Sequence, residues 1–204
     1  MRKSGPGKGY RFGDILRCMI PTREDALALF KKYNENESLY RHALSVEAVM
    51  RRFAAEYGED EDKWGIIGLV HDLDWDKWPR EHCSKTREIL EDKEWPETWI
   101  RAVLSHAWGF VTDIKPEHVM EKVLYAIDEL CGLVTATALM RPSRSLMDLN
   151  VSSVKKKWKD KSFAAGVNRE VIDRGAMMLG IERSELIEKT IEGMRVVAPE
   201  LGLE

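Results

Sequence analysis

The chain has 204 residues, 44% hydrophobic and 33% charged, with a formal net charge of −3. That length supports one domain with a real core, or a domain with a small appendage, and the charge excludes an acidic tail and a general nucleic-acid binder. No apolar run approaches the ~20 residues of a membrane span, and the basic, Gly-rich start "MRKSGPGKGYRFGDILRCMIP" lacks the apolar core of a signal peptide.

Helical signals dominate the chain in order. Residues 1–19 read as a flexible arm, with Met19 as a candidate start. In "PTREDALALFKKY", Thr22 is placed to cap a helix whose first turn carries Glu24 and Asp25, which suits the helix dipole. A helix from Glu37 to Tyr57 is closed by Gly58. Asp60 or Glu61 opens the next, which the pattern carries through Trp64, Ile67 and Leu69 to a stop before Pro79. A short helix is expected from His82 to Glu91, and another from Pro96 to near Gly109. A long one follows from Glu117 to Met140, closed by "RPSR". Asn150 caps a short basic helix, "VSSVKKKWKDK". "NREVIDRGAMMLG" and "ERSELIEKTIEGMRVVA" make two more, with Gly180 and Pro199 as stops. No alternating strand pattern or hairpin dipeptide occurs. The expected architecture is all-α: one helical bundle over residues 20–140, then a basic helical extension, 141–204, packed on the same domain.

Cys18, Cys83 and Cys131 are odd in number, with no CxxC pair, so a zinc knuckle is excluded and a reducing cytoplasm is the simplest setting. The histidines carry more information. His42 shares a helical face with Val46, Val49 and Phe53, His71 with Trp64 and Ile67, and His106 with Trp99 and Val103. Asp72 adjoins His71, and Asp128 follows Leu124 by one turn in the apolar helix "KVLYAIDELCGLV". One inward histidine is usually a satisfied core residue, and Asp128 alone could begin a polar face with Glu121 and Glu129. Three inward histidines and two carboxylates in one core are a different matter. Mutual hydrogen bonds could satisfy some of them, but a divalent cation satisfies all.

The order His42, His71-Asp72, Asp128 resembles the H…HD…D signature of the HD-domain superfamily of metal-dependent phosphohydrolases. "HALSVEAVMRRFA" is similar to that family's first-histidine helix, "IIGLVHDLDWDK" to its "LLHD" helix, and "VLYAIDEL" to the helix of its last ligand. The resemblance spans about residues 37–140 and implies that His42, His71, Asp72 and Asp128 bind a metal. Dinuclear members carry further histidines in the interval where His82 and His106 lie. His82 is expected to begin a helix there, and His118 sits in an exposed first turn. The "HDIG" subtype is not matched, because Leu73-Asp74 follows the pair.

The resemblance implies one or two divalent transition-metal ions (Fe, Mn, Co, Ni or Zn). It also implies attack of a metal-bound hydroxide on a nucleotide or other small phosphate ester. Asp72 could bridge two metals or orient water; Asp74 and Asp76 are candidates for proton transfer or for support, with a solvated helix end as the alternative. Lys77 resembles a lysine that faces phosphates in several members, or is a surface lysine. From Arg141 to Arg174 there are nine Lys or Arg against four Asp or Glu. In that segment Arg144, Lys161 and Arg169 are candidate phosphate partners, against a plain surface basic helix. Two other classes remain: a non-catalytic HD-fold module that binds nucleotides or regulates, and a structural helical protein whose histidines pair with carboxylates. Seven tryptophans leave apolar area that a homodimer would cover.

Overall fold

A computed structural model of the chain describes residues 20–204; the expected N-terminal arm, residues 1–19, and Cys18 lie outside the described residues. Ten α-helices follow in order: α1 (Arg23–Tyr33), α2 (Glu37–Tyr57), α3 (Glu61–Leu69), α4 (Ser84–Asp92), α5 (Glu97–Leu104), α6 (Val119–Leu139), α7 (Val151–Trp158), α8 (Arg169–Leu179), α9 (Arg183–Arg195) and α10 (Ala198–Leu201). Two 3-10 turns, Pro79–Glu81 and Ser105–Ala107, sit before α4 and after α5. Among the described residues there is no strand, only one isolated bridge between Trp108 and Thr112. The fold is all-α, as the sequence predicts. No helix among the described residues is long and apolar enough to cross a membrane.

Local chemistry sets most boundaries. Thr22 and Asp25 form a reciprocal box at the start of α1, with Asp25 N donating to Thr22 Oγ1 at 3.2 Å and Thr22 N to Asp25 Oδ2 at 3.1 Å. Asn36 Oδ1 accepts from Ser38 N and Leu39 N, and Gly58 closes α2 in the left-handed conformation at φ 67°. The long helix starts at Val119, two residues later than the pattern suggests. Glu121 Oε2 accepts from Glu117 N and His118 N, so those residues form the cap rather than the first turn. Pro199 opens the first turn of α10 instead of stopping α9, a place where its missing N–H costs nothing.

The third helix differs most from expectation. It ends at Leu69, and residues 70–77 are tight turns. His71 Nδ1 donates to Gly68 O at 2.8 Å, taking the carbonyl that would otherwise continue the helix. Asn34 Nδ2 donates to Leu73 O at 2.8 Å, fixing those turns to the end of α1.

The two 21-residue helices, α2 and α6, are the centre of the packing. α2 lies against α3, α6 and α9, and α6 carries α8. Gly68 permits the first of these contacts: a Cβ there would stand 2.9 Å from Met50 Cγ and 3.2 Å from Val46 O. Gly175 permits the last, since its Cβ would meet Ala126 Cβ at 2.4 Å. Leu146, Val154, Ile172, Leu186 and Met194 are buried in the same core as Phe53, Trp64 and Leu124. At the edge of α2, Glu47 is 3% exposed, and two guanidiniums hold it. Arg23 Nε lies 2.6 Å and Arg51 Nε 3.0 Å from its Oε1, and Arg23 Nη2 lies 2.9 Å from Oε2.

Candidate metal centre

α2 delivers His42 and α6 delivers Asp128, with His42 Nε2 3.0 Å from Asp128 Oδ1. The close α2–α3 packing brings the turn after α3 alongside, so the rings of His42 and His71 have centroids 5.1 Å apart. His71 is fully buried. A carbonyl can only accept, so the bond to Gly68 O fixes the proton on Nδ1 and leaves Nε2 as a lone pair in the neutral ring. That Nε2 lies 3.3 Å from Asp72 Oδ2 and 3.4 Å from Asp128 Oδ1, yet it is a buried polar atom with no hydrogen-bond partner. An Nε2 aimed at two carboxylate oxygens calls for positive charge, from a proton on the ring or from a cation in its place.

The same pattern is built a second time on the other side of Asp72. His106, on the 3-10 turn after α5, donates Nδ1–H to Val103 O at 2.6 Å. His82 donates Nδ1–H to Asp74 Oδ1 at 2.7 Å. Both Nε2 atoms therefore face inward, 3.1 Å from each other and each 3.6 Å from Asp72 Oδ1. Asp72 thus presents one oxygen to His71 and the other to His82 and His106. His42, His71 and Asp128 form one buried group whose ligand atoms lie within 4.8 Å of one another; His82, Cys83 and His106 form another.

Charge follows from this geometry. Burial opposes protonation of His71, but Asp72 and Asp128 outweigh it and hold its pKa well above the ordinary value. Burial likewise opposes ionisation of Asp72 and Asp128, and the histidines beside them reverse that, so both carboxyls stay well below the usual range. Glu129, next along α6, accepts from Asn168 N at 3.1 Å, but that bond and the His42 charge are outweighed. Its pKa is pushed up to about 7 by burial and by the charge of Asp128.

Residues 39–133 match the family model of the HD domain. The chain carries an HD domain over that stretch. No curated protein and no solved structure matches it. In this HD domain, His42, His71 and Asp128 meet at one point, His82 and His106 meet at another, and Asp72 stands between the two groups. The residues fit a divalent metal on chemical grounds: imidazole nitrogens and carboxylates gathered together, with no Lys or Arg side chain among the described residues paired to Asp72 or Asp128.

A cleft of ≈ 660 Å³ opens onto the group, with His42, Asp72, His82, His106, Asp128 and Glu129 in its wall. The remaining candidates are placed differently. Asp74 is fully buried, with Oδ1 on His82 and Oδ2 accepting from Thr86 N at 2.8 Å, so it orients a histidine and has no free oxygen for substrate. Asp76 lines the cleft, but its Oδ2 accepts from Glu35 N and Asn36 N, tying the α1–α2 link. Lys77 is outside the cleft wall; its Nζ donates to Lys32 O at 2.9 Å at the end of α1. Arg144 is exposed beyond the C-terminal end of α6, whose last residue lies eleven positions, roughly 16 Å, along the helix from Asp128. Arg169 spends its guanidinium on the carbonyls of Trp158, Asp160, Phe163 and Val167, which staples the loop before α8 and leaves no fork for a phosphate. Lys161 lines a second depression, separated from the metal cleft by Gly166 and Val167, which border both.

His82 does not begin a helix. Cys83 follows it at φ 66°, in the left-handed region, and α4 starts only at Ser84. Such a conformation costs a non-glycine residue about 1 kcal/mol or more, and here it turns His82 inward. Cys83, buried against the two histidines, is a neighbour of the site that cysteine spacing could not reveal; its adjacency to His82 was the one available signal. Burial and the charges of Asp74 and Asp72 push its thiol pKa up. His118 is the cap of α6, with Nδ1 accepting from Met120 N, and has no part in either group.

Proposed function

We propose that the protein is a metal-dependent phosphohydrolase acting on a small phosphate ester. One observation carries this reading: three histidines have their Nδ1 protons committed to acceptors, so their Nε2 lone pairs converge on the two oxygens of Asp72. Histidine ligands held by a carbonyl or carboxylate are the usual means of fixing tautomer and ring orientation at a metal. A divalent cation held there acts as a Lewis acid and lowers the pKa of water from ~15.7 to about 7.

The chain's own residues supply the rest. His42, His71 and Asp128 would hold one ion, His82 and His106 the other, and Asp72 both. Asp74 keeps His82 in its ligating tautomer. The cleft above admits an ester to the ions, and its walls remove bulk water from around the phosphoryl group, which strengthens electrostatic stabilisation there. In the net reaction water oxygen bonds to phosphorus, the ester P–O bond breaks, and the departing oxygen takes up a proton.

Metal analysis of protein purified without chelators, joined to an ester screen with and without added Mn²⁺, tests this. Tightly held transition metal and metal-dependent release of phosphate are expected. Metal-free protein that takes up no added ion and cleaves no ester would overturn it.

A further inference from the structure

The cleft that opens onto the histidines has an uneven wall. Four carboxylates face it, Asp72, Asp76, Asp128 and Glu129, and among the described residues no Lys or Arg lines it. Much of the rest of its lining is apolar: Leu39, Trp75, Phe110, Val111, Val167 and Val171. Three of these are large side chains left open: Trp75 is 47%, Phe110 57% and Val111 54% exposed. The Trp75 ring stands edge-on to His82, with centroids 4.8 Å apart, so the apolar wall begins directly beside the histidines. Two of the cations that the sequence suggests for this cleft, Lys77 and Arg169, are committed elsewhere, and so is Arg174 on α8. Lys77 caps α1, Arg169 staples its own loop, and Arg174 turns to the Trp108 ring at 5.4 Å and donates to the Tyr125 hydroxyl at 3.3 Å.

A polyphosphate carries several charges beyond the phosphoryl group that reacts, and buried or half-buried anions need fixed cationic partners. Two divalent ions would be largely offset by Asp72, Asp76, Asp128 and the partly ionised Glu129 already in this wall. A substrate with one phosphoryl group and an uncharged body meets no such deficit, and its body gains by covering the exposed rings, at roughly 25 cal/mol per Å² of apolar surface removed from water. Resting on the phosphohydrolase reading, we propose that the substrate is a phosphate monoester with an apolar or aromatic body, and that nucleoside di- and triphosphates are discriminated against.

The test uses the full chain loaded with Mn²⁺. kcat/KM is measured for 1-naphthyl phosphate, AMP, ADP and ATP at equal free Mn²⁺, and binding of benzylphosphonate and of methylene-bridged ATP is followed by tryptophan fluorescence. The expected result is a fall in kcat/KM of at least about tenfold from the naphthyl ester to ATP, the phosphonate being the tighter ligand. Phe110→Lys should narrow that gap by improving ATP. Equal or better use of ATP overturns the inference and leaves the hydrolase reading standing. If no ester is cleaved, the hydrolase reading falls and the binding order decides alone: tighter phosphonate supports an apolar, singly phosphorylated ligand, and tighter ATP analogue overturns it.

Discussion

Two buried clusters of charge among the described residues are balanced in opposite ways. Around Glu47, the guanidiniums of Arg23 and Arg51 supply donors to both carboxylate oxygens, and the cluster is complete. Around Asp72, the imidazoles of His71, His82 and His106 turn their Nε2 atoms to its two oxygens, Asp128 stands beside them, and no described Lys or Arg side chain pairs with either carboxylate. The positive charge at the second cluster is a proton shared among imidazoles and carboxylates, which a divalent cation could replace. The first cluster holds α1 against α2; the second is an invitation to a metal.

Breaking the second cluster should have the largest effect. Asp72→Ala removes the one residue common to both histidine groups, so bound metal should fall to none and kcat/KM by roughly 10³-fold or more. Elemental analysis after dialysis and a phosphate-release assay would show it. Retention of both ions would mean Asp72 is not shared. Breaking the first cluster should act on stability alone. Arg51→Ala leaves Glu47 with half its partners and should cost about 3 kcal/mol in denaturant unfolding, with metal content unchanged.

A finer probe separates the two halves of the metal cluster. Asp74→Asn weakens the carboxylate that orients His82, so metal affinity at the His82–His106 group should drop about 10- to 100-fold while the His42–His71–Asp128 group keeps its ion. Metal titrations that resolve two affinities would read this directly. The smallest effect is protonic. In metal-free protein His71 is held protonated by Asp72 and Asp128, so an ion must displace that proton. Metal affinity should weaken as pH falls, and calorimetry in buffers of different ionisation enthalpy should detect about one proton released. The same proton stabilises the metal-free fold below the ordinary histidine pKa, and that stabilisation fades as pH rises through the raised native value.

The parts of the site that were legible in the sequence are those carried by regular helices. His42 and Asp128 could be placed because helical spacing aligns them with Val46 and Leu124, and the same rule pointed His71 and His106 inward. What escaped lies where the chain leaves the helix. Nothing in "LDWDKW" says that α3 stops at Leu69, so the burial of Asp74 and the outward turn of Lys77 could not be read from it. Arg169 and Lys77 illustrate a related gap. A count of basic residues finds cations for a phosphate, but only the folded backbone reveals that carbonyls have taken their donors. Cys83 escaped because a left-handed non-glycine residue leaves no mark in composition or periodicity.

The absent side chain at Gly175 reaches further than its size suggests. It lets α8 rest on the backbone of Ala126, two residues from Asp128, and α8 brings Val171 to the far wall of the cleft. The gap between that wall and the histidines is therefore gauged by a hydrogen atom. A methyl group there would act as a shim under α8, altering the mouth of the cleft without touching any residue that meets metal or substrate.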